Sequence, residues 1–269
     1  MLTGGVVRIT GSGLGCEEWP TCDGTSVVPR PGAEAGWHQF VEFGNRTLTF
    51  VVLATAVWAV WAVRRDAPDR PDLRGLAWGL VGGVLAQAVL GGITVLTDLN
   101  PLVVAGHFLL SMVLIAVAVV LFDRASSPAP AEPLPALRWL ARVLVPVAGV
   151  VLVLGTLVTA TGPHAGDPGT PRLGLDIRTM AVAHADAVWA LVALTVAVLV
   201  VARALGATRT ARAATVLLVV EVAQGGVGYL QYALGIPASL VSLHLLGACL
   251  VWVGAVSYTH LTLPTIYSV

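Results

Sequence analysis

Long apolar runs broken by short polar clusters make up most of this chain. Seven of them approach the ~20 residues that cross a bilayer as a helix. They fall at residues 40–63, 76–97, 102–122, 138–160, 178–201, 213–234 and 239–256. Only helices and closed barrels satisfy their own backbone in lipid, and runs of this length are helical rather than strand-like. The pattern predicts an all-α polytopic membrane protein. The opening MLTGGVVRIT reads as the end of one further span whose first part is missing. After Val256 the sequence SYTHLTLPTIYSV is β-prone and holds a proline, so the last helix is predicted to stop there. Residues 257–269 read as a non-native tail, and His260 within it is not expected to be a ligand.

Composition supports this picture. Hydrophobic residues are 57% of the chain, charged ones 11%, and the net charge is zero. A soluble domain carries about 25% charged residues. Without a basic face, nucleic acid is excluded as a partner. The arginines set the direction of the spans. Arg64, Arg65, Arg70 and Arg74, then Arg124, Arg138 and Arg142, then Arg203, Arg209 and Arg212 mark alternate loops as cytoplasmic. Loops 10–38, 98–101, 161–177 and 235–238 then face outward. The Pro- and Ala-rich stretch within 126–137 reads as a cytoplasmic linker between residues 1–125 and 138–256. Cys16 and Cys22, in GCEEWPTC of the first outer loop, suit a disulfide, with a metal-binding or redox-active dithiol as the alternative. Cys249 lies in a span and reads as a small buried hydrophobe.

The two parts repeat one another. Gly4, Val7, Thr10, Gly11 and Gly15 fall opposite Gly155, Val158, Thr161, Gly162 and Gly166. Gln87 precedes His107 by 20 residues, as Gln224 precedes His244. Gly91 and Gly228 each follow their glutamine by four, and Asn45 stands opposite His184. Two pseudosymmetric four-helix bundles follow, the first with its first helix largely missing.

Three of the six histidines lie inside spans, where ionisable groups are rare and face the bundle interior. His107 is six residues past Pro101, His184 six past Arg178, and His244 about six past the start of its span. At 1.5 Å per residue each lies about 9 Å in from the outer surface. His184 and His244 fall on the second and fourth helices of one bundle, facing each other across its core at one level. That arrangement suits bis-histidine haem ligation. The simpler alternative is hydrogen bonding to a neighbouring helix. Zinc or copper would need more ligands, and Cys249 is the one soft residue close by. His164 reads as a solvated loop residue. Glu42 shares a helix face with Asn45; it either complements the helix N-terminus or moves protons. Arg8 and Arg46 either contact haem propionates or snorkel to the interface.

The segments GGVVRITGSGLGCEEWPTC, EFGNR, LGGITVLTDLNPLVVAGH, TATGPHAGD, VAHAD and the stretch from Gln224 to His244 together resemble the haem A synthase family. The resemblance covers most of residues 3–256. It implies haem b held axially by His184 and His244, and substrate haem O in the first half with His107 as an axial ligand. It implies a catalytic or proton-handling role for Glu42 and matches Cys16 and Cys22 to a paired cysteine motif. The implied reaction oxidises the C8 methyl of haem O to a formyl group through successive hydroxylations, in a bacterial plasma membrane. An enzyme making haem O and a terminal oxidase receiving haem A would be the pathway partners; the electron acceptor stays open. Two departures stand out. The family's E-x-x-H motif reads Glu42-Phe43-Gly44-Asn45 here, so Asn45 occupies the place of the second axial ligand. His38, seven residues earlier, is a distant substitute. Many relatives also carry a second cysteine pair in the third outer loop, and residues 161–177 hold none. A di-haem b-type electron carrier, or a haem transport or chaperone protein, are the alternative functions.

Overall fold

A computed structural model describes residues 1–30, 32, 35–126 and 135–262, with side chains as far as Tyr258. Among these residues there are eight helices and no strand. They are α1 (Leu2–Ile9), α2 (His38–Asp66), α3 (Pro71–Leu96), α4 (Pro101–Ser126), α5 (Pro135–Thr161), α6 (Ile177–Ala204), α7 (Thr208–Ala233) and α8 (Ala238–Thr262). The last seven are long and apolar enough to cross a membrane. Each predicted span is therefore a helix, and the chain is a multi-pass membrane protein. Residues 127–134 of the predicted linker, the end of the predicted tail from residue 263, and the His260 side chain lie outside the described part.

Local chemistry starts these helices. Pro71, Pro101 and Pro135 stand at the first positions of α3, α4 and α5, where a missing N–H costs nothing. Asn100 caps α4, its Oδ1 accepting the N–H of Leu102 at 3.0 Å. One expectation is corrected. α8 does not stop at Val256 but continues to Thr262. Adding a residue to an existing helix gains a hydrogen bond without a new nucleus, and that outweighs weak β-propensity. Val256 and Tyr258, both buried, also hold this turn in place.

The duplication is visible bond by bond. After α3, the N–H groups of Thr97, Asp98 and Leu99 donate to the carbonyls of Ile93, Val95 and Thr94. After α7, Leu234, Gly235 and Ile236 donate to Leu230, Tyr232 and Gln231 in the same order. Both turns place two successive residues at positive φ, Asp98 and Leu99 in the first and Gly235 and Ile236 in the second. This is the left-handed helix exit that normally asks for glycine. The first repeat adopts it without one. Thr10 and Thr161 likewise bond back to carbonyls three and four residues earlier.

The chain forms two compact units, one of Met1–Leu114 with Thr156–Ile177, the other of Ile115–Gly155 with Arg178–Val269. In the first, α2 packs closely on α3 and α1 on α2; in the second, α7 packs on α8. Large apolar side chains such as Phe50, Trp58, Phe122 and Val216 point outward, as lipid-facing surfaces require. Arg64 lies over the Trp78 ring, Arg65 over Trp61 and Arg142 over Trp139, at 5.1–5.4 Å. Such Arg–Trp pairs suit the membrane interface, on the side that the arginine count marks as cytoplasmic.

Candidate functional site

The second unit brings His184 and His244 together. Their ring centroids are 6.3 Å apart, with 71° between the planes. Two imidazoles on opposite sides of one metal, at ~2 Å metal–nitrogen bonds, place their ring centres ~6 Å apart. Rotation about the metal–nitrogen axis leaves the interplanar angle free. His184 Nδ1 lies 3.1 Å from the carbonyl of Val151 on α5. A carbonyl only accepts, so Nδ1 carries the proton. The Nε2 lone pair of the neutral ring is then available to a metal. His244 Nδ1 is buried with no hydrogen-bond partner. The donor set and spacing fit a haem iron held between the two rings. No cluster of three or more metal-ligating side chains occurs among the described residues, and axial ligation of haem asks for only two.

Glycines make room for the rings. A Cβ on Gly155 would lie 3.2 Å from Cε1 of His184, and one on Gly228 would lie 3.1 Å from Cε1 of His244. In the first unit Gly91 sits against His107 in the same way, at 3.1 Å. The glutamines fix the helix behind the ring. Gln224 Nε2 donates to the His244 carbonyl at 2.6 Å, and Gln87 Nε2 donates to the His107 carbonyl at 2.8 Å. Gln87 also bonds the Ser111 hydroxyl. The spacing of Gln87, Gly91 and His107, repeated in the second half, is thus one packing unit used twice.

The fourth position departs from the other three. Asn45 is half-buried, and none of the side-chain hydrogen bonds among the described residues involves it. Gly4, which the repeat sets opposite Gly155, has nothing within 4 Å of a Cβ. In the other three cases an imidazole edge lies against the glycine. His38 does not substitute. Its Nδ1 lies 2.9 Å from the Ser12 hydroxyl, and its ring stacks on Trp37 at the outer start of α2.

Glu42 and Arg46 turn toward the first outer loop. Cys16 and Cys22 are joined as a disulfide, and both are buried. Glu42 Oε2 accepts the Cys16 N–H at 2.7 Å, and Oε1 accepts Arg46 Nε at 3.0 Å. Arg46 Nη1 donates to the carbonyls of Glu18 and Thr21 at 2.9 and 3.0 Å; Nη2 donates to that of Cys16 at 2.9 Å and to Glu42. All five N–H donors of Arg46 are spent, so none remains for a propionate. The charge pair closes an i,i+4 bridge on α2 and staples the disulfide loop onto it. Beyond the staple, the Thr25 and Ser26 N–H groups hold the Asp23 carboxyl below its usual range, and Cys22 N–H bonds Ser26 O at 2.7 Å. Arg8 reaches the Thr159 carbonyl at 3.1 Å from Nη2.

One pair escaped the sequence reading. On α7, Glu221 is buried and accepts the Thr195 hydroxyl of α6 at 2.9 Å. Its other oxygen, Oε2, is buried without a partner. The signal was plain: an acidic residue near the midpoint of an apolar run is a hydropathy anomaly.

The profile of the COX15-CtaA family, described as cytochrome oxidase assembly proteins, matches residues 1–256. Similar chains include Heme A synthase of Exiguobacterium sibiricum, 30% identical over 126 residues, 45% of this chain and 40% of that protein. Heme A synthase of Bacillus pumilus is 30% identical over 115 residues, 42% and 36% of the two chains. Heme A synthase of Symbiobacterium thermophilum is 31% identical over 182 residues, 64% and 58% of the two. The matched stretches span between 36% and 58% of these relatives' own lengths. With one profile matching all but the last 13 of its 269 residues, the chain belongs to the family of cytochrome oxidase assembly proteins.

Proposed function

We propose that this chain acts as a haem A synthase in the cell membrane, oxidising the C8 methyl group of haem O to a formyl group by successive hydroxylations. The observation that carries the reading is the His184–His244 pair, spaced for one metal between the rings. Family membership and relatives that bear the name Heme A synthase support it.

In this reading each repeat has its own task. His184 and His244 hold a resident haem b, which when bound supplies a one-electron redox centre. Val151 fixes the His184 tautomer, Gln224 holds the His244 turn, and Gly155 and Gly228 leave room for the ring edges. The first repeat receives haem O as substrate. His107, backed by Gln87 and Gly91, ligates its iron from one side. Asn45 faces the other side without coordinating strongly, so the substrate is held loosely enough to leave as product. Glu42 stays the proposed proton-handling carboxylate of this half. In the resting arrangement its oxygens are held by Cys16 and Arg46, so proton transfer requires the loop to move. The Cys16–Cys22 disulfide keeps that loop compact. An enzyme that makes haem O acts before this one, and a cytochrome aa3-type oxidase takes up the product.

Asn45, standing where the other repeat has His184, favours one rival, a haem transport or chaperone protein with one weak site. Extracted haems from membranes that make haem O and express the chain separate the readings. Haem A in the wild type, absent in His107→Ala, supports the synthase. Haem O bound but unconverted in the wild type supports the rival and overturns the synthase.

A further inference from the structure

Glu221 is buried to 3% exposure and Thr195 to 0%. It stands 13 residues into α7, which runs from Thr208 to Ala233, so it lies near the middle of the span. A carboxyl there is costly unless it serves a purpose. One oxygen takes the Thr195 hydroxyl; the other has no partner. Glu221 is one helical turn from Gln224, the residue that bonds the His244 carbonyl. The repeat offers a comparison. The first-half positions matching Thr195 and Glu221 are Ala56 and Val84, both buried at 6% exposure. The same packed place is apolar in one repeat and a hydroxyl–carboxyl pair in the other. Helix packing alone does not need the acid, since the first repeat packs without it.

We infer that Glu221 is the proton acceptor coupled to electron arrival at the second-repeat haem: one electron goes to the iron, and one proton from the aqueous phase goes to the carboxylate. The inference rests on the haem b reading above. In the proposed reaction the electron is one withdrawn from the substrate methyl group. Electron and proton together leave the net charge of the site unchanged, and unbalanced charge is expensive in a low-dielectric interior. No other group around Glu221 compensates. Among the described side chains, α6 carries Arg178, His184, Asp186 and Arg203, α7 itself Arg209, Arg212, Tyr229 and Tyr232, and α8 His244, Cys249 and Tyr258. None of them hydrogen-bonds or ion-pairs with Glu221; Thr195 is its one partner among the described residues.

The test is redox titration of the purified full-length protein over a pH series, using mediators and dithionite. The wild-type haem potential is expected to fall as pH rises, by up to ~59 mV per unit, the value of a tenfold change for a one-electron couple. Glu221→Gln should lose the slope and keep the bis-histidine absorption spectrum. A flat wild-type profile overturns the inference. So does a slope that survives in Glu221→Gln, since haem propionates titrate in that variant too. Should Glu221→Gln not accumulate with haem, Glu221→Asp is read by redox-difference infrared spectroscopy. A protonated-carboxyl band that appears on reduction and moves in Glu221→Asp supports the assignment, and an unmoved band overturns it. A wild type with no low-spin haem fails differently: it removes the haem b reading, and this inference with it.

Discussion

At the residue scale, three glycine–histidine contacts decide where a ring fits. A Cβ at Gly228 or Gly155 would press on Cε1 of the ring at 3.1 or 3.2 Å. Overpacking of this kind costs about 1–3 kcal/mol. Gly228→Ala is therefore expected to lower haem b content at equal protein by roughly tenfold, as read from absorption spectra. Unchanged haem content would show that the ring has space to move. Asn45→His makes the opposite change. It puts an imidazole at the position that matches His184 and, in the proposed reading, should give the substrate haem a second axial ligand. A new low-spin signal in electron paramagnetic resonance, with slower release of haem O, is the expected result. The histidine pair was legible in the sequence because the repeat exposes it; the glycine contacts were not. A repeated glycine says that backbone comes close to something, and only coordinates say to what.

At the element scale, Glu42 and Arg46 fasten the first outer loop to α2. Three of the five Arg46 donors reach loop carbonyls, the other two hold Glu42, and the buried Glu42 carboxylate accepts the Cys16 N–H. Removing one partner of a buried pair costs about 3–5 kcal/mol, and Arg46 is partly solvated, so a smaller loss of about 2–3 kcal/mol is expected for Arg46→Ala. Faster hydrogen exchange confined to residues 16–22 would register it; exchange spread evenly over α2 would contradict the staple. Glu42→Gln keeps an acceptor for Cys16 and should loosen the loop less. This staple was not legible beforehand. Arginine and glutamate four apart on a helix form a commonplace surface pair, and their loop partners lie 25–30 residues away in sequence. Helix positions were the easiest part, since apolar runs of bilayer length admit little else. The end of α8 was misjudged because composition there favours strand while the helix is already nucleated.

At the scale of the whole molecule, one four-helix plan is used twice, down to matching hydrogen bonds in the turns after α3 and α7. The functional differences sit on that common frame as three departures: Asn45 against His184, Val84 against Glu221, and Ala56 against Thr195. In the proposed reading, each moves the second repeat toward a tightly held redox centre and the first toward a looser substrate site. That division is the central claim. Its most direct test is the absorption and paramagnetic resonance spectrum of the purified full-length protein with single histidines replaced. A low-spin bis-histidine haem b that disappears in both His184→Ala and His244→Ala but persists in His107→Ala is the predicted result. A low-spin haem that survives loss of His184 or His244, or that depends on His107, would contradict it.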